Sequence, residues 1–197
     1  MKRIFGLVVV ALAAAALLSP APRAKESSNA PQYTQDGKLL MPANYRDWNY
    51  LSSGLGMTYA KSGPDNHPMF TNVYVNPESY HAFLKTGQWP DKTTLVLEVY
   101  TSATEGSINQ GGQYQLEPAG GIEAHVKDTS RPGHPWKFYG FDEKGAPADA
   151  RGEGNPCTKC HSKNGAVEDT FVQFYPTLLK VARAKGTLRP ENDITKK

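Results

Sequence analysis

Apolar and polar positions change rhythm several times along this chain. Thr93 to Thr101 (TTLVLEVYT) alternates with a period of two, which predicts a strand with Leu95, Leu97 and Val99 on one face and Val96, Glu98 and Tyr100 on the other. Ile122 to Lys127 alternates in the same way, setting Ile122, Ala124 and Val126 against Glu123, His125 and Lys127. Phe70 to Val75 is a β-branched and aromatic run, and shorter strands are expected at Gln113 to Glu117 and Trp136 to Phe141. Gly-Gly, Pro-Ala-Gly-Gly and Arg-Pro-Gly-His-Pro segments separate them, as turns separate the strands of an antiparallel sheet.

Elsewhere the period is helical. Asn76-Pro77 opens a helix over about 77–86 with a cap-capable side chain and a proline at the first helical position. Tyr80, Phe83 and Leu84 form its apolar stripe, and Gly87 suits the left-handed residue that ends it. A last helix opens at Pro176, presents Leu178, Leu179, Val181 and Ala182, and closes at Gly186. Tyr45, Trp48 and Leu51, three apart, predict a short helix over 44–51. Residues 25–42 are polar and aperiodic and are expected to form a flexible arm, and 187–197 a frayed polar tail. The fold class is α+β, a mainly antiparallel β-sheet with a few helices in one domain over 43–186.

The amino-terminal segment stands apart. Lys2 and Arg3 precede an apolar run from Ile4 to Leu18, 15 residues long, then small residues from Ser19 to Ala24. This is the pattern of a signal peptide over 1–24, and the run is short of the roughly 20 residues that a membrane-spanning helix needs. An exported, periplasmic protein with no membrane attachment after cleavage is expected. Removing Lys2, Arg3 and Arg23, with no acid, takes the formal charge from +3 to zero. The remainder carries no basic stripe, which argues against a nucleic-acid partner.

Cys157-Thr158-Lys159-Cys160-His161 is the strongest local signal, and it matches the C-x-x-C-H attachment site of c-type haem. One helical turn brings residues three apart to the same side. Both sulfurs can then form thioethers with the two vinyl groups on one haem edge, with His161 as the proximal iron ligand. One covalently attached haem c per chain follows. Three other readings stay open. A Cys157–Cys160 disulfide closes a very small loop and contributes little. A thioredoxin-like pair belongs after an early strand, whereas this motif is late in the chain. A zinc site needs four ligands, and no second Cys or His cluster is at hand.

An electron-transfer cytochrome usually pairs its histidine with a second strong ligand such as methionine. The four methionines are Met1, Met41, Met57 and Met69, and none follows the motif. A five-coordinate iron with an open distal side is the better expectation, and a six-coordinate electron carrier using Met57, Met69 or a distant histidine is the alternative. The four-helix cytochromes c′ also have a carboxyl-terminal motif and an open site, but the β-rich middle of this chain does not suit a bundle.

The stretches HPMFTNVYVNPESYHAFLKTGQWPDKTTLVLE, GSINQGGQYQ, and CTKCH followed by EDTFVQFYPTL, in that order, resemble the cytochrome P-460 family. The resemblance spans about Asn44 to Lys180. That family includes the hydroxylamine-oxidising enzymes and the gas-binding cytochromes c′ of the β type. The resemblance implies an antiparallel sheet as the distal wall, with haem held between the sheet and the CTKCH segment, and a homodimer as a common assembly. It implies nitric oxide or hydroxylamine as the small-molecule ligand, with a redox partner protein that the residues do not identify.

In the hydroxylamine oxidisers a lysine from a distal strand is bonded to the porphyrin and a carboxylate lies nearby. The matching strand position here is Leu97, beside the haem but unable to form that bond. Lys92, in the turn before the strand, and Lys85, near the end of the preceding helix, read as surface lysines. Glu123 is the match for the distal carboxylate and the candidate catalytic residue. His125 is expected at the surface, and His67, His81 and His134 are not assigned to iron. Phe70, Tyr74 and Phe138 read as core aromatics or pocket lining.

Overall fold

The structure is a computed structural model that describes residues 29–58 and 68–196. The segment 1–24 and His67 lie outside the described residues. The alternating stretches pair into one six-stranded antiparallel sheet. Its strands are β1 (Asn49–Leu55), β2 (Phe70–Val75), β3 (Thr94–Ala103), β4 (Tyr114–Pro118), β5 (Ile122–Lys127) and β6 (Trp136–Phe141). The order is β1-β2-β3-β5-β6, and β4 pairs with the far end of β3. Three α-helices complete the α+β fold: α1 (Pro77–Thr86), α2 (Pro156–Asn164) and α3 (Pro176–Lys185).

Directly opposed residues of antiparallel strands share a face, so register decides what is brought together. Val73 opposes Leu97, Leu97 opposes Glu123, and Glu123 opposes Gly140. One step along, Val75, Leu95, His125 and Phe138 form the neighbouring row. The helices cover this face unevenly. Phe83 of α1 and Leu178 and Ala182 of α3 bury Val75, Leu95 and Trp136 together with Trp89 and Val172. Both α1 and α3 start on a proline and stop at a left-handed glycine, Gly87 (φ 74°) and Gly186 (φ 69°), as expected.

The opposite face is covered by chain rather than by helices. Leu39 and Ala148 pack on Ala124, Val126, Tyr139 and Phe141, and Tyr45 and Trp48 pack on Val96. Over its described part, residues 29–42, this corrects the flexible arm expected over 25–42. Leu39 is fully buried and bridges Ala148, and Tyr33 donates to Asp128 at 3.0 Å. The frayed tail is corrected too: Thr187 donates to the Gly87 carbonyl at 2.7 Å, Arg189 to that of Ser162 at 2.7 Å, and Asp193 is buried against Arg183.

The helix expected over 44–51 is one 3-10 turn, Tyr45–Asp47, followed by β1. Tyr45, Trp48 and Leu51 are all buried, but a register shift between Tyr50 and Ser52 sends Leu51 to the helix-covered face, away from the other two. A spacing of three therefore arose from a turn and a bulge rather than from a helical face.

Candidate functional site

The motif begins a helix because Asn155 and Pro156 start one. The Asn155 side-chain oxygen accepts from the Thr158 amide at 3.0 Å, and Pro156 occupies the first helical position. Cys157 and Cys160, one turn apart on α2, are both half-buried and not joined to each other. Asn164 donates to the Cys160 carbonyl at 2.9 Å near the helix end. Gly165 follows because nothing larger fits: a Cβ there would stand 2.7 Å from the carbonyl oxygens of both His161 and Glu168.

That close approach sets the histidine. The chain turns back through Val167–Thr170, closed by the Thr170 amide donating to the Val167 carbonyl at 3.1 Å. His161 Nδ1 lies 2.8 Å from the Asp169 carbonyl oxygen. A carbonyl only accepts, so Nδ1 carries the hydrogen and Nε2 keeps the lone pair that binds a metal. Burial pushes the His161 pKa down, which favours the neutral ring. Phe171, Phe138 and His125 pack against that ring, with centroids at 4.1, 4.7 and 4.9 Å.

His125 corrects the surface role expected for it. It is 8% exposed, stacked on Phe138 at 4.0 Å and 14°, and against Trp136 at 4.5 Å. Its Nε2 is buried with no hydrogen-bond partner. Burial, and then the nearby His161 and His134 rings, push its pKa well below the usual histidine range. The sign follows directly. Only the unfolded chain takes up a proton here as pH falls through about 6.5, so this side chain costs stability below that pH and none above it. Replacing His125 with Phe should flatten the fall in melting temperature between about pH 7 and pH 5 relative to wild type, as thermal denaturation across that range would record.

Glu123 lies on the same face, opposite Leu97, with its side chain 56% exposed and 3.2 Å from Arg151. Leu97 is half-buried. The lysines are elsewhere: Lys92 is ion-paired with Asp128 in the turn before β3, and Lys85 is exposed at the end of α1. His81 packs edge-on against its neighbour Tyr80 on α1. Phe70 and Tyr74 are half-buried on β2, whereas Phe138 is buried and touches His161.

Three acids escaped the sequence reading. Glu98, on the face of β3 away from His161, is 4% exposed and accepts from Tyr45 at 2.6 Å, Arg46 at 3.1 Å, Tyr74 at 3.2 Å and Asn72 at 3.3 Å. Burial and this carboxylate push the Tyr74 hydroxyl up to about 12. The signal was a lone charge inside an apolar strand. Glu168 and Asp169, just after α2, accept from the sheet: Glu168 from Trp136 Nε1 at 2.9 Å and Lys127 at 2.8 Å, and Asp169 from His134 at 3.2 Å. Nothing local distinguishes them from surface acids.

These residues fit a haem. Two unjoined thiols share a helical face, a neutral imidazole has its metal-binding nitrogen unengaged, and aromatic side chains line the adjoining sheet. Among the described residues no three His, Cys, Asp or Glu side chains converge, so the zinc alternative has no ligand set there. No match to the chain was found among curated proteins. A family match does exist, to cytochrome P460 over residues 42–172. That span takes in the whole sheet, α1, α2 and the turn that orients His161, and on it the chain belongs to the cytochrome P460 family of c-type haem proteins.

Proposed function

We propose that the protein is an exported monohaem cytochrome, with haem c bonded to Cys157 and Cys160, His161 beneath the iron, and an open opposite side for nitric oxide or hydroxylamine. The observation that supports this is the His161 bond to the Asp169 carbonyl, which orients the ring and leaves the Nε2 lone pair for a metal, on the same helix as the two thiols. Export rests on the signal pattern of residues 1–24. When bound, the haem supplies an iron that takes up a small nitrogen ligand and exchanges electrons with it.

An open distal side is favoured over six-coordination by where the methionines lie. Met41 packs beside Gly145 in the cluster around Leu39, and Met57 and Met69 are exposed at the outer ends of β1 and β2. Leu97 offers only hydrocarbon to the haem face, so the reading places ligand binding ahead of lysine-linked hydroxylamine oxidation. Glu123, opposite Leu97 and 3.2 Å from Arg151, is the group that would take a proton from a bound ligand.

The test is the mass of the denatured chain together with reduced-minus-oxidised spectra under nitric oxide and hydroxylamine. Haem mass on the denatured chain and a high-spin spectrum that shifts with nitric oxide are expected. A denatured chain without haem sinks the reading, and a low-spin ferrous spectrum inert to gases favours the carrier. If hydroxylamine is turned over, Glu123→Ala should slow it about 100-fold or more. Unchanged turnover removes the proton-accepting role.

A further inference from the structure

The hydrogen bond on His161 is only as fixed as the carbonyl that accepts it. That carbonyl belongs to Asp169, in a turn whose preceding residue, Glu168, has φ 50° without being a glycine. A non-glycine residue in this conformation is strained and persists where its surroundings hold it. What holds it comes from the sheet. Glu168 accepts from the Trp136 indole at 2.9 Å, from Lys127 at 2.8 Å and from the Trp89 amide at 3.3 Å. Lys127 is itself fixed by donating to the Trp89 carbonyl at 2.7 Å.

Asp169 is held from the same side. His134 Nε2 stands 3.2 Å from the Asp169 carboxylate, which only accepts, so Nε2 donates there, while Nδ1 lies 3.1 Å from the Trp136 carbonyl oxygen and 3.2 Å from the Trp136 amide nitrogen. Two neighbouring carboxylates therefore pin one turn, Glu168 to β5 and β6 and Asp169 to the loop before β6, next to the carbonyl that His161 uses. The hydroxyl of Thr170 closes the other end, accepting from Trp89 Nε1 at 2.8 Å and donating to the Val167 carbonyl at 2.7 Å.

We propose that the Lys127–Glu168 and His134–Asp169 pairs form a clamp that sets the hydrogen bond on the proximal histidine, and thereby its electron donation to the iron. The inference rests on the proximal role given to His161 above. His134, Glu168 and Lys127 are positioning residues: they act through the turn, and the turn acts through the Asp169 carbonyl. A bond from Nδ1–H to a well-placed carbonyl makes Nε2 a stronger donor, which stabilises the ferric state and strengthens the iron–histidine bond. A loosened turn weakens both.

The experiment compares the haem-loaded wild type with His134→Leu, His134→Gln and Glu168→Gly. Glutamine keeps a donor at the end of the side chain. Glycine tolerates the positive φ while deleting every Glu168 side-chain bond. The midpoint potential and the iron–histidine stretching band of the reduced protein are measured on each. His134→Leu and Glu168→Gly should raise the potential and lower the band frequency, and His134→Gln should return both towards wild type.

Folded, haem-loaded His134→Leu and Glu168→Gly proteins with wild-type potential and band overturn the clamp. So does a His134→Gln protein that folds but behaves like the leucine variant. Failure of the proximal assignment itself looks different, because the iron–histidine band of the reduced wild type is then absent, or persists unchanged in His161→Gly.

Discussion

Alanine at both Cys157 and Cys160 should leave no haem on the denatured chain, whereas His161→Gly should leave the haem attached and change only the iron's ligation. The two results separate because different atoms do the two jobs. Thioether bonds survive denaturation and coordination does not, so the mass of the unfolded protein reports the cysteines alone. Either cysteine by itself should retain haem through one bond, in lower yield, since α2 holds both thiols one turn apart on one face. If His161 is the proximal ligand, His161→Gly takes from the iron the imidazole that the Asp169 carbonyl orients. Added imidazole should then restore the reduced spectrum, because the cleared space has the shape of the lost ring. Haem mass persisting after removal of both sulfurs, or a His161→Gly spectrum identical to wild type, would count against the assignment.

The second large effect lies on the opposite face. Glu98→Leu should lower stability by about 3 kcal/mol, because it leaves the Tyr45 and Tyr74 hydroxyls and the Asn72 amide facing hydrocarbon where a carboxylate stood. The figure is set at the low end for a broken buried pair, since the Arg46 side chain is 59% exposed and can turn to water. Glu98→Gln keeps the shape and one acceptor and should lose about half as much. Asn72 also exchanges hydrogen bonds with Gln115, at 2.7 and 3.0 Å, so the damage reaches β4. Urea denaturation of the three proteins decides it. A Glu98→Leu midpoint equal to wild type would mean that the tyrosines find other partners.

Much of this protein is written in local pattern. Alternation marks β3 and β5 because side chains on a strand point to opposite faces whatever surrounds them, and Pro77, Gly87, Pro176 and Gly186 bound two helices through backbone geometry alone. CTKCH is equally local: five residues of α2, little more than one helical turn, carry two thiols and an imidazole.

Where each face looks is a different kind of information. Glu123, His125 and Lys127 alternate onto one face, yet His125 is buried against His161 while Glu123 meets water, because α2 and the turn after it cover one part of that face and not the other. Leu39 and Leu51 lie in segments without a strand rhythm of their own reading, and both are buried by partners far along the chain, Ala148 and Leu178 among them. The sequence by itself determined the strands, the helix ends and the chemistry of the attachment motif, which depend on bonds and contacts within a few residues. Only the tertiary structure decided which side of each strand is dry, where the acids Glu98, Glu168 and Asp169 find donors, and which carbonyl orients His161, because those depend on surfaces that meet only after the chain has folded.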